Sequence, residues 1–362
     1  MKIAIITIND NRNYGNRLQN YALQTILQNY ADKVDTIWWR KKFHIVNRIK
    51  FIVKYILNWK NLRIHHKEDC IREYNIKNFS DKYINIKYHC KIKKNLNSEY
   101  NYFIVGSDQV WNFNFWAGWD TLKNSENAVF LKFASKDKRI AYAASIGVTS
   151  IPKNKKRLFG DNLREMKAIS MREKAGAELV KNLTGKEVPV VVDPTILLPK
   201  EEWQKIKMSP EWYNGEKYIL TYFLGNPSPI IKNIAKKNNW KIYNLMDKNN
   251  FNLYTSRVEE FVYLIEHAQL VATDSFHASV FSILMNTPFL VVNRQQKGVV
   301  DMTSRIDTLM ELFGYQDRYI VNGKCDLSDE EILNMDFSNV KIIQEREIKR
   351  STEYMKKALN LE

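Results

Sequence analysis

The sequence predicts an α/β protein made of two doubly wound, Rossmann-like parallel sheets that face each other across a cleft. Three observations carry this. The chain has 362 residues, more than one domain usually holds. Short apolar runs alternate with helical patterns from Ile3 onward, the rhythm of strand and crossover helix. After a polar stretch from Pro199 to Gly215 that reads as a domain junction, the same alternation resumes at Tyr218. The expected units are residues 1–206, residues 216–339, and a C-terminal helical segment, 340–362, able to cross back to the first.

Ile3 to Ile8 is the first strand. Asn9 to Asn16 is a loop of turn-forming residues, and Arg17 to Tyr30 then places Leu18, Tyr21, Ala22, Leu23, Ile26 and Leu27 at helical spacing. Loops at the carboxyl ends of parallel strands hold ligands. This one has neither a Gly-rich dinucleotide fingerprint nor a Walker pattern, so neither a nicotinamide cofactor nor ATP is indicated. Val34 to Trp39 is a second strand. Tyr102 to Val105 is another, followed by Gly106-Ser107-Asp108, where either Ser107 or Asp108 caps a helix or Asp108 contacts a sugar hydroxyl. Arg139 to Ile146 and Ala168 to Met171 follow. Arg172 stands at the mouth of the next helix, placed either to grip a carboxylate or phosphate with its planar fork or to pair with Glu173 or another acid. Val188 to Val192 reads as a strand with a sharp exit at Asp193-Pro194-Thr195.

In the second half, strands are expected at Tyr218–Phe223, Trp240–Leu245 and Leu270–Thr273, with helices at Pro229–Asn238 and Val258–His267. The turn Asp274-Ser275-Phe276-His277 separates the third of these strands from a helix, and Pro288 precedes a further apolar run to Val292. A strand-to-helix turn gathers backbone donors and the positive helix pole, so anions settle there. His277 at that turn is either a capping or packing residue or a general acid/base, imidazole being the side chain best able to trade a proton near neutral pH. A basic loop with Arg294 and Lys297 follows, and Ser304-Arg305 opens the helix Ile306–Phe313.

Composition narrows the partners. With 44% hydrophobic and 27% charged residues the chain can bury ample cores. A formal charge of +16 and a pI near 9.4 call for a polyanionic partner. No nucleic-acid reader module accompanies the charge, which leaves phosphorylated small molecules or an anionic membrane. Between Asp35 and Glu68 no acid occurs. There, within residues 40–67, Ile45, Ile49, Ile52, Val53, Ile56 and Trp59 share one helical face, with Lys50 and Lys54 opposite. This is either a basic amphipathic helix for a membrane interface or an ordinary surface helix. No apolar run approaches the roughly 18 to 20 residues that span a bilayer. Cys70, Cys90 and Cys325 form neither a disulfide framework nor a metal spacing, which fits a reducing cytoplasm.

Taken in order, Asn13-Tyr14-Gly15-Asn16-Arg17-Leu18-Gln19-Asn20-Tyr21-Ala22-Leu23, Val105-Gly106-Ser107-Asp108-Gln109-Val110-Trp111-Asn112, Ser170-Met171-Arg172-Glu173, Val192-Asp193-Pro194-Thr195, Thr273-Asp274-Ser275-Phe276-His277 and Ser304-Arg305-Ile306 resemble the polysaccharide pyruvyl transferase family. Each motif is weak alone, and the ordered set, between Lys2 and Arg318, is specific. The resemblance implies a glycosyltransferase-B-like fold. It implies transfer of pyruvate from phosphoenolpyruvate, a co-substrate rather than a cofactor, onto two hydroxyls of a hexose as a cyclic ketal, with release of phosphate. It places His277 as acid/base with Arg172 and, less closely matched, Arg305 as catalytic cations.

The donor side would comprise Arg172, Ser275, Arg294, Lys297 and Arg305, and the acceptor side Asn13, Tyr14, Asn16 and Asp108, with no metal. The acceptor would belong to a surface polysaccharide or its lipid-linked precursor, with the stretch 40–67 available for peripheral contact with an anionic inner leaflet. Several members carry an arginine two residues before the histidine, where this chain has Ser275. Either Arg294, Lys297 or Arg305 covers that charge or the donor differs. A nucleotide-sugar glycosyltransferase on the same fold and a non-catalytic anionic-glycan-binding protein are the rival readings.

Overall fold

Aliphatic runs buried on both faces become parallel strands, because only a sheet covered by helices on each side can hide them. The computed structural model describes residues 1–39, 66–89, 95–116, 122–223, 228–292, 304–320 and 324–361. The first half runs β1 (Lys2–Ile6), α1 (Tyr14–Leu27), β2 (Lys33–Trp39), α2 (His66–Tyr83), β3 (Ile86–His89), β4 (Tyr102–Val105), β5 (Arg139–Ala144), α3 (Lys153–Arg164), β6 (Ala168–Met171) and α4 (Lys174–Thr184). Two helices at the junction follow, α5 (Pro194–Leu197) and α6 (Lys200–Ile206). The second half runs β7 (Tyr218–Tyr222), α7 (Pro229–Asn238), β8 (Lys241–Asn244), α8 (Val258–His267), β9 (Leu270–Thr273), α9 (Phe276–Met285), β10 (Phe289–Val292), α10 (Ser304–Phe313) and β11 (Tyr319–Ile320), and α11 (Val340–Ala358) closes the chain.

The first sheet has the order β3-β2-β1-β4-β5-β6 and the second β11-β10-β9-β7-β8. Every pairing is parallel, for example Ile6 beside Val105 and Tyr222 beside Thr273. Strand order reverses between β1 and β4, which opens a crevice beyond their carboxyl ends. Gly106 leaves β4 there at φ 121°, and a Cβ on it would lie 2.1 Å from the Tyr142 carbonyl oxygen. Only glycine fits that exit.

The two halves share apolar packing. One cluster of buried side chains runs from Ile3 through Trp203 and Phe281 to Met355. Trp203 of α6 touches both sides, its ring 5.8 Å from Tyr21 and 4.8 Å from Phe281. Helix α11 lies on the first half. Gln344 donates to the Ile196 and Leu198 carbonyls, and the Tyr354 hydroxyl donates to Ala141 O at 2.8 Å. Two doubly wound sheets with their strand ends toward each other and a terminal helix returning to the first make a glycosyltransferase-B-like fold.

The structure departs from sequence expectation at several places. Val188–Val192 is not a strand. Only a single parallel bridge joins Met171 to Val190, because Pro189 has no N–H to donate to a ladder. The polar junction contains α6, anchored by buried Trp203. Strands β3 and β11 were not expected, both being short edge strands with little apolar signal. The amphipathic stretch lies outside the described residues over 40–65. Among the described residues, no helix is long and apolar enough to cross a membrane.

Arg72 of α2 fastens the two halves to each other. It donates to the Leu245 and Tyr254 carbonyls and stacks over the Tyr14 ring at 4.5 Å. Arg72→Met removes a charged donor from two buried carbonyls, and a loss of about 3 kcal/mol is expected, at the upper end for such bonds. Differential scanning calorimetry reads this as a lowered Tm, and an unchanged Tm would contradict it.

Candidate functional site

Asp193 is the centre of the site. Pro194 cannot donate a backbone hydrogen bond and opens α5, so Asp193 becomes the N-cap. Its Oδ1 accepts from Thr195 N at 3.0 Å and Thr195 Oγ1 at 2.7 Å. That leaves Oδ2 to accept from Ser107 Oγ at 2.6 Å and Arg172 Nη1 at 2.8 Å. Arg172 Nη2 reaches Asp108 Oδ1 at 3.2 Å. All three charged side chains are buried. Phe276, from the other half, lies against the guanidinium, its ring centroid 4.6 Å from Cζ.

His277 arrives from the second half on the first turn of α9, which Ser275 caps by accepting from Ala278 N. Its Nε2 stands 3.8 Å from Asp193 Oδ2, beyond hydrogen-bond reach, and has no hydrogen-bond partner among the described residues. On its other side the ring rests on Gly15. A Cβ at residue 15 would fall 2.1 Å from His277 Nδ1. Gly15 is an ordinary helical residue of α1, so glycine serves here for space, not for backbone conformation.

These neighbours set the protonation states. Burial pushes His277 below its ordinary 6.5, with Arg172 and Arg305 adding to the effect and Asp193 and Asp108 opposing it. Burial would raise Asp193, but the His277 and Arg172 charges and the Ser107 and Thr195 hydrogen bonds outweigh it and hold the carboxyl at about 2. Asp108 is likewise lowered against burial, chiefly by Arg172. The largely buried Arg305 is drawn down to about 10, by burial first and then by Arg172, and stays charged at neutral pH.

Arg305 opens α10 beside a cavity of about 410 Å³ that also reaches Arg172, Asp193 and Phe276, with Lys174, Arg346 and Arg350 among its further lining residues. When the Gln109 amide is oriented to suit its neighbours, its oxygen accepts from both Arg305 Nη atoms at 3.1 Å. No carboxylate lies within ion-pair distance of Arg305 among the described residues. His277 does not line this cavity; it stands behind Asp193.

A polysaccharide pyruvyl transferase family model matches residues 13–296, most of the chain, including Asp108, Arg172, Asp193 and His277 and ending before Arg305. The chain belongs to the polysaccharide pyruvyl transferase family. No curated protein matches the sequence. Solved structures with a similar chain path include UDP-GlcNAc 2-epimerase of Methanocaldococcus jannaschii (15% identity, TM-score 0.46, covering 98% of this chain and 100% of that one). UDP-N-acetylglucosamine 2-epimerase of Rickettsia bellii (8%, 0.49, 100% of both) and Acinetobacter baumannii MurG (10%, 0.42, 100% and 99%) are others. At these TM-scores the likeness speaks to neither substrate nor site.

Within this pyruvyl transferase, His277, Arg172 and Asp108 are buried together, and Arg305 stands partly exposed at the cavity that reaches Arg172. Other expected ligand residues lie elsewhere. Tyr14 is fully buried, its hydroxyl donating to Ser256 O at 2.9 Å and its ring stacked on Phe261, so it packs the halves together and does not meet a sugar. Arg172 does not offer a free fork, since both its Nη atoms are held by carboxylates. Its partners are Asp108 and Asp193, and Glu173 instead accepts from Ser145 Oγ, Ile146 N and Gly147 N. Ser275 serves as a cap. Asn13 caps α1, and Asn16 Nδ2 donates to Asp10 Oδ2 at 2.8 Å. Arg294 and Lys297 lie outside the described residues. Sequence reasoning missed the roles of Asp193, Ser107 and Gly15. The Asp-Pro pair after an apolar run was the available signal for the first. Among the described residues, no cluster of three or more His, Cys, Asp or Glu is arranged to hold a metal.

Two outcomes follow from this geometry. Gly15→Ala displaces the imidazole, and since misplacing a reacting group by an ångström can cost about a hundredfold, pyruvyl transfer is expected to fall by that order. Wild-type turnover in Gly15→Ala would contradict it. For His277, a folded pKa below the unfolded one means the unfolded chain binds more protons in between. The stability contributed by the neutral ring is therefore whole above about pH 6.5 and is lost as pH falls through the lowered value. Imidazole NMR should give a midpoint below 6.5, falling further in Asp193→Asn, and a midpoint above it would refute the account.

Proposed function

We propose that this family member moves the pyruvate unit of phosphoenolpyruvate onto two hydroxyls of a hexose, in a surface polysaccharide or its lipid-linked precursor, and releases phosphate. The observation that carries the reading is the meeting of an imidazole from one half with guanidinium groups from both halves around one carboxylate. Phosphoenolpyruvate is a compact trianion, and closely placed cations are what desolvate such a group.

In the ligand-free state His277 is held neutral by burial. An arriving trianion adds negative charge beside the ring and raises its pKa, so donor binding and protonation of His277 are coupled. Nε2, with no hydrogen-bond partner among the described residues, then gives its proton to the methylene carbon of the enol, leaving C2 cationic. One sugar hydroxyl attacks C2 and returns a proton to the neutral imidazole. The C2–O bond to phosphorus breaks, and phosphate leaves with the electron pair, its charge met by Arg305. The second hydroxyl adds at C2 to close the ketal, and phosphate carries away its proton. Arg172 keeps Asp193 and Asp108 ionised and in place, a positioning role in place of a grip on the donor. Asn13 and Asn16, beside Gly15, are assigned to the acceptor side. Peripheral contact with an anionic membrane through residues 40–67 rests on the sequence pattern alone.

The test is incubation with phosphoenolpyruvate and an aryl hexoside, following product mass and free phosphate together. Wild type should yield one equivalent of phosphate per pyruvyl group gained. His277→Ala should be almost inert while folded, and Arg305→Gln slower by about a hundredfold, the cost of one lost transition-state donor. Phosphate release without mass gain, or full activity in His277→Ala, would refute the mechanism.

A further inference from the structure

Arg17 belongs to no part of the mechanism above. It sits in the first turns of α1 with its side chain wholly removed from solvent. Its Nη2 donates to the Ile8 carbonyl, and the Trp38 ring lies 5.2 Å from Cζ. Nε and Nη1 have no hydrogen-bond partner among the described residues. The carboxylates that act on it are committed elsewhere. Asp10 accepts from Arg12 N at 3.0 Å and Asn16 Nδ2 at 2.8 Å, and Asp108 accepts from Arg172 and Gln109 N. A buried guanidinium left half-paired is costly, and such groups persist where something else completes them. Burial draws it to about 10, still charged at neutral pH.

Its position says what completes it. Ile8 follows β1 and Asp108 follows β4, the adjacent strands at which the first sheet reverses its order and α/β folds bind ligands. The opening amides of α1 have no partners within the helix and add the positive pole to the same place. Gly15, two residues before Arg17, touches His277. We infer that Arg17 and the first turn of α1 form a subsite for an oxyanion carried by the sugar acceptor, either the phosphate of a glycosyl phosphate or the carboxylate of a uronic acid. Calling that ligand the acceptor rests on the pyruvyl-transfer reading, whereas the binding of an oxyanion does not.

Calorimetric titration of the full chain, with no donor present, tests this using a hexose 1-phosphate, a hexuronic acid and a neutral methyl hexoside. Wild type should bind one of the two anions at least about tenfold tighter than the neutral sugar, and which anion is preferred identifies the source of the charge. Arg17→Met should abolish the preference and Arg17→Lys should keep part of it. Ligand-free Arg17→Met should melt at or above wild type, since an apolar chain replaces a half-paired charge. Equal binding of charged and neutral sugars by wild type, a preference surviving in Arg17→Met, or a lowered melting temperature or failure to fold in that variant would each overturn the inference. Failure of phosphoenolpyruvate turnover would not change these readings, because no donor enters the titration.

Discussion

The site depends on one carboxylate that both halves of the chain use. Asp193 is ionised in the interior because Arg172, Ser107 and Thr195 satisfy its oxygens, and a buried carboxylate without such partners would cost several kcal/mol. Arg172 stands between Asp193 and Asp108, so that the trio carries one net negative charge. His277 is brought beside it from the second sheet. Burial opposes an imidazolium there and the negative trio favours it, and in the ligand-free molecule burial prevails. A proton and an anion entering together would tip that balance, which is the behaviour required of a general acid that must be charged only when its donor is in place.

The same closeness that creates the balance restricts the chain elsewhere. Gly15 leaves room for the imidazole and nothing more. Tyr14, beside it, fills the seam between the sheets under Arg72, and α11 ties the far side back to β5. Arg72 and Tyr14 thus join the halves across the seam. Arg305 lines a cavity that also reaches Arg172 and Asp193, and under the proposed reaction a small anion would approach through it.

Much of this was legible in the sequence, for identifiable reasons. Strands such as β4, β6 and β9 are short aliphatic runs ending in polar turns, and helices such as α7 and α8 have clear apolar stripes, so local pattern sufficed. Local pattern placed His277 and Arg305 near helix starts but left capping or packing open for His277, and the roles given to both came from the family resemblance. Partners were not legible. Arg172 and Asp108 are 64 residues apart and Arg172 and Asp193 are 21 apart, and no spacing rule links residues joined only by the sheet order. Tyr14 was misread for the same reason, since its place depends on Ser256 and Phe261 from the other half. The run Val188–Val192 failed as a strand because one proline outweighed four valines.

The most direct measurement is a crystal structure of the chain with phosphoenolpyruvate, or a non-reactive analogue in which the phosphate oxygen is replaced. The account predicts the phosphate within hydrogen-bond distance of Arg305 and the methylene carbon within reach of His277 Nε2, with Asp193 still bound to Arg172. A donor seated away from the Asp193 cluster, with His277 still closed against Gly15, would contradict it.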